Sequence, residues 1–176
     1  NLEQPDLLVF DLDPDEAVPY ARLKQHARQL RDLLNSIGLT AFPRATGGKG
    51  IHLVVPIEPD TDFAQAKEFS KAVATGLERQ HPDQLTVNMS KAKRKGRVFI
   101  DYLRNGRGAT AITNWSTRAR PGAPVAVPVS WSELSGLHSS ARWKPDSALR
   151  RLRSLKNDPW AGFEEARRSL QKGVAP

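Results

Sequence analysis

Apolar and polar positions along the chain follow two periods. Leu7, Leu8, Val9 and Phe10 run into Asp11-Leu12-Asp13-Pro14, an apolar stretch that ends in acids at alternate positions. This reads as a buried strand over 7–13. Side chains at i and i+2 on a strand share a face, so Asp11 and Asp13 project together from its end. Pro19 suits the first turn of a helix. Leu23, Ala27, Leu30, Leu34 and Ile37 then recur at helical spacing, with Gly38 as the stop. A short strand over 39–42 closed by Pro43, a glycine-rich loop over 44–50 and an apolar strand over 51–55 closed by Pro56 follow. Asp60 to Asp62 can cap a second helix, which carries Phe63, Ala66, Phe69, Val73 and Leu77 and stops before Pro82. Residues 85–89 read as a strand or edge piece. Residues 97–103 read as a strand with Val98, Ile100 and Tyr102 on one face and Phe99 and Asp101 on the other, and 109–112 as a further strand.

Past Asn114 the texture changes. Pro121, Gly122, Pro124 and Pro128 break regular structure, a short helix starts at 131–134, and two helices are expected at 147–155 and 160–170. The pattern describes a single domain over 1–176: an α/β core at 1–113, a Pro-rich connection at 114–145 and a helical tail at 146–176. The strand–strand hairpin around 42–51 makes the sheet mixed and the class α+β.

Composition narrows the chemistry. The 176 residues are 39% apolar, enough for one core, with no run long enough to cross a bilayer. There is no cysteine, which excludes a disulfide framework and a thiolate metal site. Lys and Arg total 27 against 19 Asp and Glu, a net charge of +8, which favours polyanionic partners. Lys91, Lys93, Arg94 and Lys95 form a dense cluster and are candidate DNA contacts. The first residues carry neither the basic and apolar regions of a signal peptide nor an initiator Met, so the chain reads as a fragment or a processed piece.

Four segments carry candidate chemistry. Two carboxylates held as close as Asp11 and Asp13 repel one another, and a divalent cation relieves the repulsion. Hard oxygen ligands suit Mg²⁺ or Mn²⁺. The bland alternative is a solvated strand end at which Asp-Pro begins a turn. In Arg44-Ala45-Thr46-Gly47-Gly48-Lys49-Gly50-Ile51-His52, the glycines allow close backbone approach and an anion nest. Thr46, Lys49 and His52 add a hydroxyl, a cation and an imidazole, all able to bond phosphate oxygens. The spacing is not that of a Walker A loop, and a plain hairpin turn with a solvated lysine is the alternative. Asp101 is an acid inside an apolar strand, so it needs a cation, an arginine such as Arg104, or a wet strand end. Arg118 and Arg120 alternate, so in an extended segment both guanidinium groups face one way and suit phosphate oxygens.

Taken together, Val9-Phe10-Asp11-Leu12-Asp13-Pro14, Thr46-Gly47-Gly48-Lys49-Gly50-Ile51-His52, Phe99-Ile100-Asp101-Tyr102-Leu103-Arg104-Asn105 and Ser116-Thr117-Arg118-Ala119-Arg120-Pro121-Gly122 are far more specific than any one of them. In that order and spacing, and with Asp158-Pro159-Trp160 near the tail, the chain resembles the polymerase domain of bacterial DNA ligase D, within the archaeo-eukaryotic primase superfamily. The resemblance implies a primase-type catalytic core with an RRM-like mixed sheet flanked by helices. It makes Asp11, Asp13 and Asp101 the metal-binding and catalytic triad for two Mn²⁺ or Mg²⁺ ions. It makes Thr46, Gly47, Lys49, His52, Arg104, Arg118 and Arg120 nucleotide-binding. Thr46 stands where the family usually has serine, which keeps the hydroxyl. The implied activity is templated addition of NTP or dNTP to DNA 3′ ends in non-homologous end joining. Ku and a ligase domain are the implied partners, with no membrane involved and a bacterial, nucleoid-associated cytoplasmic location. The family's domain carries a further segment ahead of its first acidic motif, which holds a basic surface for the downstream 5′-phosphate.

Two other readings meet the same residues. A haloacid-dehalogenase-type phosphatase also places two acids one residue apart after an apolar strand, but it wants Thr or Val where Asp15 stands. A catalytically incomplete nucleic-acid-binding fragment would keep only the basic loops.

Overall fold

The computed structural model describes residues 1–171. Six strands form one sheet: β1 (Leu7–Pro14), β2 (Phe42–Ala45), β3 (Ile51–Pro56), β4 (Leu85–Thr86), β5 (Val98–Asp101) and β6 (Val127–Pro128), in the order β4-β5-β1-β3-β2-β6. All pairings are antiparallel except β4 with β5. Strand alternation gives this sheet two different faces. Leu8, Phe10, Leu12, Ile51, Leu53, Val55, Val98 and Ile100 turn to one side. There they pack against Leu23, Ala27, Leu30 and Leu34 of α1 (Tyr20–Ser36) and Ala66, Val73 and Leu77 of α2 (Phe63–Gln80). Each fully buried Leu, Ile or Phe of this layer stabilises the fold by about 1.5–3 kcal/mol. The class is α+β, as the pattern predicts.

The helices end where their sequences say. Asp62 Oδ1 accepts the Gln65 N–H at 2.8 Å while Gln65 Oε1 accepts the Asp62 N–H at 3.1 Å, a reciprocal cap on α2. At the far end of α1, Gly38 sits at φ +81° and lets the Leu39 N–H return to the Leu34 carbonyl at 2.9 Å.

The opposite face is apolar at one end and polar at the other. Leu7, Val9, Phe42 and Val54 are covered there by Trp160, Phe163 and Ala166. Toward the C-terminal end of β1 the same face carries Asp11 and Asp13. Beyond the reach of β5, the edge of β1 is finished by a side chain. The Val9 N–H donates to Asn105 Oδ1 at 2.7 Å, and Asn105 Nδ2 donates to the Val9 carbonyl at 3.0 Å. An amide has one donor side and one acceptor side, so it imitates the missing strand. Asn105→Ala would orphan both main-chain groups and is expected to cost about 2–4 kcal/mol, read as a lower urea midpoint.

Four expectations are corrected. The strand expected at 39–42 lies at Phe42–Ala45, with Pro43 inside it. Proline removes a donor but keeps its carbonyl, and that carbonyl accepts from the Val129 N–H at 3.2 Å and Trp160 Nε1 at 2.9 Å. The piece expected at 85–89 pairs only over Leu85–Thr86. Residues 109–112 form no strand; their carbonyls go to guanidinium groups, Thr110 O to Arg104 at 3.1 Å and Ile112 O to Arg44. The helix expected at 160–170 is a chain of turns, because Gly162 at φ +83° interrupts any helix there. The last expected helix before it forms as α4 (Pro145–Ser154), and α3 (Trp131–Gly136) is capped by Ser130 and Glu133. Within the Pro-rich stretch 114–145, β6 adds the edge strand beside β2.

One buried polar group sets a pH dependence. His26 on α1 is fully buried, with Nδ1 bonded to Gln29 Oε1 at 2.7 Å and the His81 ring 5.8 Å away. Burial holds its pKa below the ordinary value, His81 and Arg22 add to the effect, and bonds to Gln29 and Gln84 oppose it. The folded state disfavours the charged imidazole relative to the unfolded chain, which takes a proton below about pH 6.5. The unfolded state therefore binds more protons, and stability falls as pH drops through that range. Urea midpoints should fall between about pH 7.5 and 5.5 in wild type, and fall less in His26→Leu.

Candidate active site

The polar end of the open face is a single row across the sheet. Asp101 on β5 lies opposite Asp11 on β1, Asp11 lies opposite His52 on β3, and His52 lies opposite Arg44 on β2. Directly opposed residues on antiparallel strands put their side chains on the same face within contact distance. Asp13, two residues beyond Asp11, joins the row and lies opposite Phe99.

An imidazole and two arginines answer these acids. His52 Nε2 is 3.4 Å from Asp11 Oδ2. Arg104 bridges two acids, 3.6 Å from Asp11 Oδ2 and 3.1 Å from Asp101 Oδ2. Arg94 reaches Asp13 at 3.7 Å while its guanidinium lies 3.6 Å from the centre of the Phe99 ring. The three acids differ as a result. Burial pushes Asp11 up, but His52, Arg104 and Arg118 outweigh it and hold its carboxyl below the usual range. Asp13 is raised by burial and by the charge on Asp11, against Lys49 and Arg94. Asp101 is raised by burial and by Asp11, against Arg104 and the Leu103 N–H, which donates to Oδ1 at 2.9 Å.

The glycine-rich turn between β2 and β3 closes over this row. Thr46 Oγ1 donates to the Gly50 carbonyl at 2.8 Å and accepts the Gly48 N–H at 3.3 Å. Gly50 packs against β1 so closely that a Cβ would stand 2.8 Å from the Leu12 carbonyl oxygen and 3.1 Å from Asp11 Oδ1. Gly47, at φ +70°, lies against Arg118 and the main chain of Pro124 and Val125. The result is a cleft of about 200 Å³ lined by Asp11, Asp13, Thr46, Gly48, Lys49, Gly50, His52, Arg104, Arg118 and Arg120. A wider cleft of about 420 Å³ shares Asp11, His52, Arg104 and Arg118 and adds Thr110, Ala111, Ile112, Thr117 and Ala119. Two larger cavities flank α4 and hold none of the acids of the row.

The donor chemistry suits a hard divalent cation: carboxylates on one face, partly desolvated, with like charges that raise Asp13 and Asp101. Among the described residues, no three acid, His or Cys side chains converge as an ion's ligand set would. Arg104 and Arg94 place positive charge beside these acids.

Residues 1–160 match the family model described as LigD, primase-polymerase domain. This chain belongs to the LigD primase-polymerase family. It is 40% identical over 175 residues to the multifunctional non-homologous end joining protein LigD of Pseudomonas aeruginosa, covering 99% of this chain and 21% of that protein. It is 41% identical over 145 residues to the LigD of Mycobacterium tuberculosis, covering 82% of this chain and 18% of that one. The chain thus spans about a fifth of the length of these curated relatives. A solved structure of the polymerase domain from Mycobacterium tuberculosis ligase D in complex with DNA superposes with a TM-score of 0.84 at 36% identity. That match covers 92% of this chain and 56% of the solved chain. Among the described residues no helix is long and apolar enough to cross a membrane.

Within this LigD primase-polymerase fold, the expected site residues fall in three groups. Asp11, Asp13, Thr46, Lys49, His52, Arg104, Arg118 and Arg120 line one cleft, with Gly47 behind Arg118 and Asp101 beside Asp11. Lys91, Lys93 and Lys95 are exposed on and just after a 3₁₀ turn. Arg94, expected with them, turns inward to Asp13 and to the Met89 carbonyl. Two residues that the pattern did not single out also belong to the site's frame. Arg44 stands inside an otherwise apolar strand, which is a readable signal. Asn105 has no local signal, because its partner Val9 is distant in sequence.

Proposed function

We propose that this protein transfers nucleotides to the 3′ end of DNA under the direction of a template, filling gaps and remodelling broken ends in non-homologous end joining. The observation that carries the reading is the acid row of Asp11, Asp13 and Asp101, whose first two members open into a cleft walled by Lys49, His52, Arg104, Arg118 and Arg120 while Asp101 stands beside Asp11. That pairing of negative floor and positive walls suits a primer hydroxyl and a polyanionic triphosphate together. The phosphates lie among Thr46, Lys49, His52, Arg118 and Arg120. The sugar and base take the wider cleft beside Thr110, Ile112 and Thr117. The primer 3′-hydroxyl gives up its proton to solvent as its oxygen bonds the α-phosphorus, the α–β bridging P–O bond breaks, and diphosphate leaves. Two Mn²⁺ or Mg²⁺ ions held by Asp11, Asp13 and Asp101 would supply the Lewis-acid charge for the attacking and departing oxygens. The arginines hold the nucleotide in line, and the desolvated floor keeps their fields strong.

The same reading makes DNA ends and an NTP or dNTP the ligands, and a ligase domain and Ku the working partners in a bacterial cytoplasm. The phosphatase alternative is disfavoured: Asp15, where that chemistry wants Thr or Val, spends its carboxylate on the N–H groups of Ala17 and Gly96, both at 3.1 Å. The test is extension of a primer across a short gap with Mn²⁺ and single nucleotides. The expected product is addition of the nucleotide complementary to the template. Hydrolysis of a simple aryl phosphate without DNA or nucleotide would contradict the reading.

A further inference from the structure

We infer that Arg44 is a positioning residue that decides which nitrogen of His52 carries the proton, and so aims the His52 Nε2–H at Asp11. Its effect on catalysis rests on the proposed nucleotidyl transfer; its effect on His52 does not.

Arg44 is 6% exposed and has an unusual set of partners. Its Nε donates to Asn114 Oδ1 at 2.6 Å, its terminal nitrogen donates to the Ile112 carbonyl, and its guanidinium lies 5.1 Å from the centre of the Trp160 ring. Trp160 is itself pinned by the bond from Nε1 to the Pro43 carbonyl at 2.9 Å. These contacts fix the guanidinium plane without any carboxylate in hydrogen bond or ion pair with it among the described residues, and burial pulls its pKa down to about 10. A buried cation paired in this way costs more than an apolar residue in the same place. What it adds is directed donors, and one of them faces His52. The same terminal nitrogen is 3.5 Å from His52 Nδ1.

A guanidinium group has donors and no acceptor. A proton on His52 Nδ1 would point at that donor, so Nδ1 keeps its lone pair and the ring proton sits on Nε2. The tautomer of a histidine is set in this way by what its other nitrogen meets. Nε2 is the atom 3.4 Å from Asp11 Oδ2. One guanidinium thereby faces His52 on one side and, through Ile112, holds the wall of the wider cleft on the other. Arg44 itself does not line either cleft that holds the acids.

The test is a long-range proton–nitrogen correlation spectrum of the metal-free protein at about pH 8, above the ordinary imidazole range. The wild-type His52 signal should be that of a ring protonated on Nε2. In Arg44→Met it should become a mixture of tautomers or shift to Nδ1. Arg44→Lys, which keeps a buried donor, should restore much of the wild-type pattern. In parallel, the KM for the incoming nucleotide should rise about tenfold in Arg44→Met, with a smaller change in kcat, and recover in Arg44→Lys. A wild-type ring protonated on Nδ1 overturns the inference, and so does an unchanged tautomer in Arg44→Met. If Arg44→Met does not fold, the wild-type tautomer and the Arg44→Lys spectrum still decide it. The spectra need neither DNA nor nucleotide, so a protein with the expected tautomers but no extension activity would sink the proposed function and leave this inference standing.

Discussion

Asp101→Asn is expected to abolish templated nucleotide addition, with a loss on the order of a thousandfold, while the melting temperature holds or rises. The two effects diverge because the carboxylate proposed to hold metal also strains the fold. Asp101 is buried opposite Asp11, and its pKa is raised by burial first and by Asp11 as well, despite Arg104 and the Leu103 N–H. A raised carboxylate pKa means that the folded state favours the neutral form. Stability from this group is therefore present at low pH and is lost as pH rises through its folded pKa, above the usual carboxylate range. Asparagine is neutral, keeps an oxygen for the Leu103 N–H, and fills the same volume. Primer extension and thermal unfolding on the same preparation read both halves. Activity within tenfold of wild type would remove Asp101 from the catalytic set.

Gly50→Ala is expected to cut extension by more than about a hundredfold and to destabilise the fold by about 1–3 kcal/mol. The added methyl would meet the Leu12 carbonyl oxygen at 2.8 Å and Asp11 Oδ1 at 3.1 Å. Neither is the tip of a flexible chain: one is main chain in the central strand, and the other is the acid at the centre of the row. The glycine-rich turn or β1 must move, and either shift displaces Asp11 from His52 and Asp101. Urea unfolding measures the first effect and primer extension the second. Gly76, where a Cβ meets nothing within 4 Å, is the control, since Gly76→Ala should leave extension unchanged.

Much of this was legible in the sequence because it is local. The alternation through Leu8, Phe10 and Leu12 fixes which face of β1 is buried and sends Asp11 and Asp13 to the other. The helical stripe of α1 and the Asp62 cap of α2 are equally local. Most of the failures are places where distant partners override local preference, and one is a glycine inside the segment itself. Pro43 looks like a strand end, but its carbonyl has two distant donors, so the strand runs through it. The residues at 109–112 have the composition of a strand, yet arginines from elsewhere take their carbonyls. The segment at 160–170 has a helical pattern, but Gly162 breaks it into turns that lay Trp160 and Phe163 on the sheet. Arg94 counted as a basic surface residue, whereas Phe99 and Asp13 draw it inward.

Nucleotide addition as proposed requires Asp11, Asp13 and Asp101 to act as one metal-dependent site. Anomalous scattering from a crystal of this protein soaked with Mn²⁺ and an NTP tests it most directly. Manganese peaks are expected within coordination distance of carboxylate oxygens of these acids, with Arg104 withdrawn from them and the triphosphate against Lys49, Arg118 and Arg120. A fully bound nucleotide with no manganese between the acids, or manganese held only elsewhere, would contradict it.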